Sequence, residues 1–174
     1  MKYTEMMMRC ATEEDVAAVV AIVGEAQRRL VAQGVDQWQN GYPNAERIAE
    51  DVRAGVGRVL CDSVGRVVAY GAVIYTGEAA YDALCGGRWL TEGEIYATIH
   101  RLCVAESVVG RGVGRLFMEL AEREVLGNEL CSIRVDTHPD NKVMQRLIGS
   151  LGYSYCGTVV YESPRWAYEK RLTR

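Results

Sequence analysis

The chain is 174 residues long, 49% hydrophobic, and carries a formal net charge of −3. This length predicts a single domain, residues 1–174, with one hydrophobic core. The slightly acidic balance provides no basic surface for nucleic acid, and no apolar run reaches the roughly 18 to 20 residues that cross a bilayer, so neither a nucleic-acid-binding nor a membrane protein is expected.

The N-terminal half contains the patterns of two helices and three strands. Thr12 to Asp15 has the spacing of a helix-capping motif, and apolar residues then recur every three or four positions as far as Leu30. Asn44 can cap a second helix, and valine-rich runs on either side of Ser63-Val64-Gly65 are typical of a hairpin. The predicted elements are a strand at Met6–Arg9, a helix ending near Gly34, a helix at Ala45–Arg53, and strands at Arg58–Asp62 and Arg66–Tyr75.

The C-terminal half alternates strands and helices after one segment without periodicity, Thr76–Gly93. We interpret this segment either as a functional loop or as a cover for a sheet edge, provided by Tyr81 and Trp89. The elements predicted after it are a strand at Ile95–Val104, a helix after Gly114, a strand at Cys131–Val135, a helix at 142–151, and a final antiparallel pair, Tyr153–Tyr161 and Trp166–Leu172, with aromatic cross-strand contacts.

Cysteine spacing and the N-terminus both indicate a cytoplasmic protein. The six cysteines are scattered without C-x-x-C spacing, so we expect reduced, mostly buried thiols. The chain has two histidines and no paired ligand spacing, so no metal site is predicted. The first ten residues show neither the apolar core nor the cleavage site of a secretory signal.

A glycine-rich turn, Gly110-Arg111-Gly112-Val113-Gly114, lies between a predicted strand and a predicted helix. Glycines allow a tight turn, and the unpaired amides that open a helix favour an anion, most often phosphate. A dinucleotide fingerprint would require a third glycine where Arg115 stands, although Asp136 lies roughly where a ribose-binding acid belongs. A Walker loop is excluded because no Gly-Lys-Ser/Thr sequence follows.

Two motifs in this half resemble those of the GNAT superfamily of N-acetyltransferases. Leu102-Cys103-Val104 followed by 109–114 matches the L-x-V strand end and the R/Q-x-x-G-x-G/A turn, with Val109 in place of the usual Arg or Gln. Asn141 to Tyr153 resembles N-x-x-A-x-x-L-Y-x-x-x-G-F, with Met144 and Ile148 replacing the usual Ala and Tyr. The resemblance covers the C-terminal half by motif and the N-terminal half by element order.

The resemblance implies an α/β (α+β) fold with a mixed, mostly antiparallel central sheet flanked by helices and splayed between the fourth and fifth strands. It also implies acetyl-CoA as co-substrate and direct transfer of the acetyl group to a primary amine in a ternary complex. The acceptor would be a small molecule, an amino acid derivative, a polyamine or a peptide. The implied acetyl-CoA-binding residues are Leu102, Cys103, Val104, Val109, Gly110, Arg111, Gly112, Val113, Gly114, Arg115 and Asn141; for Asn141, an ordinary helix cap is the alternative.

Three residues are candidates for proton transfer. Strand alternation places His100 on the same face as Tyr96 and Thr98, and relatives often carry a glutamate about where Thr98 stands. His100 is therefore the first candidate base, or else a hydrogen-bonded core histidine. Glu94, before the strand, is the second. His138 is the third, in the segment 136–140 after the fifth strand, where Asp136 could hold a cationic amine; an ordinary turn is the alternative there.

The acceptor pocket and the catalytic acid are less defined. Trp38, Tyr42 and Tyr75 are candidate acceptor-binding residues, although exposed aromatics can equally form a homodimer contact. Ile148 stands where relatives carry a tyrosine acid, and Thr98 cannot serve as a base. These two departures leave an alternative function open, a non-catalytic acyl-CoA-binding regulatory domain. Arg101 and Arg134 are predicted to form ion pairs on the opposite face from His100.

Overall fold

The computed structural model describes residues 6–173, and in that range the chain forms seven β-strands and four α-helices. The strands are β1 Met7–Cys10, β2 Gly57–Cys61, β3 Val67–Ile74, β4 Ala97–Val104, β5 Ser132–Thr137, β6 Ser154–Val160 and β7 Pro164–Arg171. The helices are α1 Val16–Ala32, α2 Ala45–Arg53, α3 Val113–Gly127 and α4 Lys142–Ser150. All the predicted elements are present, with small shifts at their ends.

Hydrogen bonding orders the strands β1-β2-β3-β4-β5-β7-β6. β1 and β2, β2 and β3, β5 and β7, and β6 and β7 are antiparallel, whereas β4 and β5 run parallel. The parallel pair is in register only at Ala97 with Ile133 and at Thr98 with Arg134, although both strands continue further. The predicted mixed, mostly antiparallel sheet that opens between the fourth and fifth strands is confirmed.

Contacts divide the chain into two compact units, and β4 contributes to both. The first unit comprises the chain through Val73 together with Arg101–Leu120. Its core contains apolar residues of α1, α2 and three strands, all buried because the apolar stripe of each helix faces the sheet. These residues are Val19, Ile22, Val23, Ala26, Ile48, Val59, Cys61, Tyr70 and Cys103. Beside this core, hydrogen bonds from Arg9 hold the pKa of Asp15 at about 2.

The second unit comprises Ile74–His100 and the chain from Ala121 onward. In its β6–β7 hairpin, Tyr155 contacts Trp166 and Tyr168 edge-on, as predicted. The segment Thr76–Gly93 contains a 3-10 helix, Ala79–Ala83, and Cys85 exchanges two main-chain hydrogen bonds of 2.8 Å with Thr158 of β6. The segment therefore contacts the sheet edge at β6 through the main chain of Cys85, whereas the sequence interpretation assigned that cover to Tyr81 and Trp89.

Three expectations require correction or remain open. Asp136 lies inside β5, opposite Ala167, because β7 extends the antiparallel ladder two residues beyond the predicted strand end. The thiols are free, but only Cys61, Cys103 and Cys156 are buried, whereas the other three are exposed. Since the chain divides into two units, the prediction of one domain spanning 1–174 stays a prediction.

Candidate active site

The glycine-rich turn is built as the sequence predicts. β4 ends at Val104, a 3-10 turn follows at Glu106–Val108, and α3 begins at Val113. Gly110 and Gly112 both have φ of 75°, a conformation that side chains disfavour. The first helical hydrogen bond joins the amide of Leu116 to the carbonyl of Gly112, so the amides of Val113, Gly114 and Arg115 precede the helical ladder. This end of α3 presents successive main-chain donors at the positive end of the helix dipole.

The end of β4 next to this turn is held by its main chain. The carbonyl of Val104 accepts a hydrogen bond of 2.7 Å from Arg29, and the amide of Ala105 donates to Val68. Burial raises the pKa of the Cys103 thiol to about 12, so this thiol is inert at neutral pH. Any chemistry at Leu102–Val104 therefore belongs to the main chain, as the resemblance implies.

The second unit brings His100 between two carboxylates. Nε2 of His100 lies 3.1 Å from Oε2 of Glu78, and Nδ1 lies 3.8 Å from Oδ2 of Asp136. The hydroxyl of Tyr81 donates to the same Asp136 oxygen over 2.8 Å. Burial and the adjacent Asp136 raise the pKa of Tyr81 well above its ordinary value, so this hydroxyl stays a donor. The exposed fractions of the three side chains are 26% for Glu78, 15% for His100 and 8% for Asp136.

The other two candidate bases, Glu94 and His138, occupy different settings. Glu94 is exposed before β4 and lines an open groove of about 600 Å³ with Tyr96 and with residues of the Thr76–Gly93 segment, among them Tyr81 and Trp89. His138 follows β5, where its Nδ1 accepts a hydrogen bond of 3.2 Å from the amide of Asp140. The proton-transfer roles of Glu94 and His138 stay predictions.

Arg134 lies on the face opposite to the one predicted. Its guanidinium stacks 3.8 Å above the ring centroid of Tyr96 and 4.2 Å from that of Trp89. It lies on the Tyr96 face because Arg134 and Thr98 are register partners and project to the same side of the sheet. The predicted ion pairs are present: Arg134 pairs with Glu169, and Arg101 pairs with Asp51.

Glu169 ties the Thr76–Gly93 segment to the sheet. This fully buried carboxylate accepts hydrogen bonds from the amides of Leu90 and Thr91, from the Thr91 and Ser132 hydroxyls, and from Nε of Arg134. Burial opposes its ionisation, but these donors and the charge of Arg134 outweigh that effect and lower its pKa. The segment that carries Glu78 and Tyr81 is thus fixed to β5 and β7.

The proposed acceptor residues occupy three different settings. Trp38 packs against the core of the first unit, and Tyr42 accepts a hydrogen bond of 2.8 Å from Arg101. Tyr75, at the end of β3, donates to Glu124 over 2.9 Å. Asp136 alone lies in the His100 cluster. The acceptor roles of the three aromatic residues stay predictions.

Sequence reasoning missed Glu78 and Tyr81. Both lie in the segment without periodicity, and Glu78 is 22 residues from His100, so no spacing rule joins them. The one available signal was composition, because this long connection contains several carboxylates and aromatic residues. Thr98 and Ile148, which replace the glutamate and tyrosine of relatives, are both fully buried.

Asn141 caps α4, since its Oδ1 accepts a hydrogen bond of 3.0 Å from the amide of Met144. Asn44 caps α2 in the same way, with Arg47 as donor at 2.9 Å. Asn141→Ala and Asn44→Ala are therefore each expected to reduce stability by about 1 kcal/mol in a denaturation experiment. If Asn141 also binds acetyl-CoA, Asn141→Ala will weaken acetyl-CoA binding and Asn44→Ala will not. Equal acetyl-CoA affinity of the two variants would show that Asn141 acts only as a helix cap.

The fold and the glycine-rich turn are those of an acyl-group transferase. A family model described as Acetyltransferase (GNAT) family matches residues 26–153. The chain therefore belongs to the GNAT family of acetyltransferases. This membership makes it an acyltransferase, so the dinucleotide-binding and non-catalytic alternatives are not supported.

Solved structures agree with this assignment. A GNAT-family acetyltransferase from Streptococcus agalactiae 2603 is 33% identical, with a TM-score of 0.90 over 97% of this chain and 96% of its own. One from Listeria monocytogenes 4b F2365 shares 17% identity and a TM-score of 0.76, covering 96% and 95%. The yncA protein from Salmonella typhimurium, solved with its cofactor acetyl-CoA, shares 16% identity and a TM-score of 0.67, covering 98% and 95%. At these lower identities the likeness shows the fold alone.

Three findings are negative. No curated protein matches the sequence significantly. Among residues 6–173, no helix has both the length and the apolar character needed to span a bilayer. In the same described range, no group of three or more histidine, cysteine, aspartate or glutamate side chains is arranged to hold a metal ion.

Proposed function

We propose that the protein transfers an acetyl group from acetyl-CoA to a primary amine, directly, in a ternary complex. The observation that carries this proposal is the placement of His100 between Glu78 and Asp136, in the strand that continues into Leu102–Val104. A basic group and a cofactor-binding main chain on one strand are what amine acetylation requires.

The residues of the first unit fit acetyl-CoA. The amides of Val109 and Arg111 donate to the carbonyls of Glu106 and Val108 within the turn. The amides of residues 113–115, which precede the helical ladder, are suited to its pyrophosphate, because the glycines at 110 and 112 let the main chain turn there. The main chain of Leu102–Val104 would bind the pantetheine arm, and the amide of Cys103 or Val104 would stabilise the oxyanion. Acetyl-CoA supplies an acyl carbon already activated as a thioester.

His100 is the proposed general base. If Nε2–H donates to Glu78, Nδ1 is the basic nitrogen and can remove a proton from the ammonium form of the acceptor, directly or through a water. The resulting imidazolium would lie between two carboxylates, and Tyr81 would hold Asp136 in place. The charge that develops on the base is thereby stabilised.

The departing thiolate needs less assistance. Residue 148 is a fully buried isoleucine, so it cannot supply the phenol that relatives place there. A thiolate is a good leaving group, and water or a nearby tyrosine hydroxyl is sufficient to protonate it. We assign no side chain as the general acid.

The acceptor is proposed to be a cationic amine, because Glu78 and Asp136 give the cluster negative charge and the chain is mildly acidic overall. A small molecule, an amino acid derivative, a polyamine or a peptide N-terminus meets this description. We place the enzyme in the cytoplasm, where acetyl-CoA is available, without a nucleic-acid or membrane partner. A homodimer contact is the alternative role for the exposed ring of Tyr42.

Calorimetric titration with acetyl-CoA and a thiol-release assay with a panel of amines test this proposal together. The wild type is expected to bind acetyl-CoA and to turn over at least one amine. In Gly110→Ala, acetyl-CoA binding is expected to fall by about tenfold, because a side chain at φ of 75° displaces the loop amides. Absence of acetyl-CoA binding by the wild type would contradict the proposal.

Gly65→Ala is the matched control. Gly65 also has a positive φ, 82°, and an added Cβ meets nothing within 4 Å at either position. Both alanine variants are therefore expected to lose about 1–2 kcal/mol of stability through backbone strain alone. If Gly65→Ala weakens acetyl-CoA binding as much as Gly110→Ala does, the loop assignment is wrong.

A further inference from the structure

Arg101 has a backbone conformation that is unusual within a strand. Its φ is 59°, whereas β4 is otherwise a regular strand from Ala97 to Val104. Among residues 6–173, the other non-glycine residues with positive φ are Trp38 and Glu129, and neither lies in a strand. A left-handed conformation is unfavourable for arginine and persists only where the surroundings enforce it.

The side chain of Arg101 is held by hydrogen bonds from three of its nitrogens. Nε of Arg101 donates to Oδ2 of Asp51 over 2.7 Å, and Nη2 donates to Oδ1 over 2.9 Å. Asp51, on α2, is fully buried and also accepts hydrogen bonds from Arg47 and from the Tyr70 hydroxyl. The third nitrogen, Nη1, donates to the Tyr42 hydroxyl. The guanidinium is thus fixed at two points on a carboxylate that cannot move.

The position of Arg101 in the strand connects this contact to the proposed chemistry. It lies between His100, the proposed base, and Leu102–Val104, whose main chain is proposed to bind acetyl-CoA. The registered pairing of β4 with β5 ends at Thr98, so that ladder does not fix the strand at Arg101. The φ angle at Arg101 sets the direction in which the next amides and carbonyls point.

We propose that Arg101 is a positioning residue for acetyl-CoA. Its two-point contact with Asp51 holds the strand in the left-handed conformation that presents the main chain of Leu102–Val104 to the pantetheine arm. This inference rests on the proposed function, and it goes beyond that function by giving a role to an ion pair that contacts neither substrate. Without the contact to Asp51, the main chain at residue 101 relaxes toward an extended conformation. Acetyl-CoA then binds more weakly, because binding has to restore the left-handed conformation.

Glycine and alanine at position 101 distinguish this role from a structural one. Both R101A and R101G lose the ion pair, but glycine adopts φ of 59° without strain. R101A is therefore expected to bind acetyl-CoA at least about tenfold more weakly than the wild type, and R101G about tenfold more tightly than R101A. KM for acetyl-CoA should follow the same order, whereas KM for the amine stays within about twofold. A merely structural role predicts that glycine is no better than alanine, because glycine lowers strand stability further.

Arg9 provides the matched control in the same unit. It also contacts a buried carboxylate at two points, Asp15 at 2.6 and 2.8 Å, but it lies in β1 without a positive φ. R9A and R9G are expected to bind acetyl-CoA like the wild type. Equal affinity of R101A, R101G and the wild type overturns the inference while leaving the proposed function intact. Failure of the wild type itself to bind acetyl-CoA overturns both.

Two milder variants keep the test decisive if the first pair folds poorly. Arg47 and Tyr70 still donate to Asp51 when Arg101 is replaced, so the carboxylate keeps partners. R101K keeps the charge without the two-point geometry, and D51N keeps the shape without the charge. Both are expected to raise Kd for acetyl-CoA by more than about threefold at unchanged amine KM. Wild-type affinity in both would refute the positioning role.

Discussion

Replacing His100 by glutamine is expected to lower kcat/KM for acetyl transfer by about 10²- to 10⁴-fold, the usual contribution of a general base. Glutamine keeps hydrogen bonding to Glu78 but cannot accept a proton. Acetyl-CoA affinity should remain close to the wild-type value, because the proposed binding groups are main-chain amides of other residues. Steady-state kinetics with an amine identified in the thiol-release assay, together with calorimetric titration, measure the two effects separately.

The pH profile and two companion variants make this test specific. Wild-type kcat/KM should rise with pH as the base loses its proton, and His100→Gln should lose that rise. Glu78→Gln should lower kcat/KM less than His100→Gln, since it removes one of two carboxylates beside the ring. His138→Gln tests the competing base. If His138→Gln lowers kcat/KM strongly while His100→Gln changes it little, the general base is His138, in the segment after β5, and not His100.

Replacing Glu169 by glutamine is expected to destabilise the protein by about 3–5 kcal/mol, because it leaves Arg134 buried without its counter-charge. Glutamine also cannot accept all the hydrogen bonds that converge on the Glu169 carboxylate. Chemical denaturation at pH 7 measures the loss. Glu14→Gln, at an exposed position, is the control and should stay within about 0.5 kcal/mol of the wild type.

Acidification should reduce the difference in the free energy of unfolding between the wild type and Glu169→Gln. The pKa of Glu169 is lowered in the folded protein, so its contribution is fully present above the unfolded value, about 4.3. The contribution is lost as pH falls from there through the folded pKa. Denaturation curves collected between neutral pH and the lowest pH at which both proteins fold will show this. A stability gap that is independent of pH, or smaller than about 1 kcal/mol at pH 7, would contradict the role assigned to the charge.

The loss of Glu169 should also affect catalysis indirectly. The Thr76–Gly93 segment carries Glu78 and Tyr81, and its hydrogen bonds at Leu90 and Thr91 end on the Glu169 carboxylate. Releasing that attachment loosens the segment that holds two members of the His100 cluster. Amine turnover by Glu169→Gln should therefore fall even at temperatures where the protein remains folded.

The order of helices and strands was predictable because each element carries a local signal. Asn44 and Asn141 mark helix starts, the glycines at 110 and 112 mark the turn before α3, and the alternating apolar runs mark the strands. The family followed from two motifs of short range. These signals depend on neighbours within a few residues, which is the range that sequence patterns describe well.

The composition of the His100 cluster was not predictable, because it depends on tertiary contacts. His100 was found by strand alternation, but Glu78 reaches it from an aperiodic segment held in place by Glu169. The face of Arg134 was predicted wrongly because only the register of β5 against β4 decides it. The left-handed conformation of Arg101 likewise has no signal in the neighbouring sequence, and the contact that we propose to hold it is with Asp51, fifty residues earlier.

The contact between Cys85 and β6 has a consequence for solubility. β6 ends the strand order, and an outer strand with free main-chain groups invites pairing with another molecule, especially beside exposed apolar residues such as Tyr155 and Val160. The amide and the carbonyl of Cys85 form hydrogen bonds with the main chain of Thr158, midway along that strand, so these groups of β6 are not available to another molecule. The approach is close enough that a Cβ on Gly87 would lie 1.9 Å from the carbonyl oxygen of Cys156. The segment that supplies Glu78 to the His100 cluster thus also interrupts a surface on which aggregation would otherwise begin.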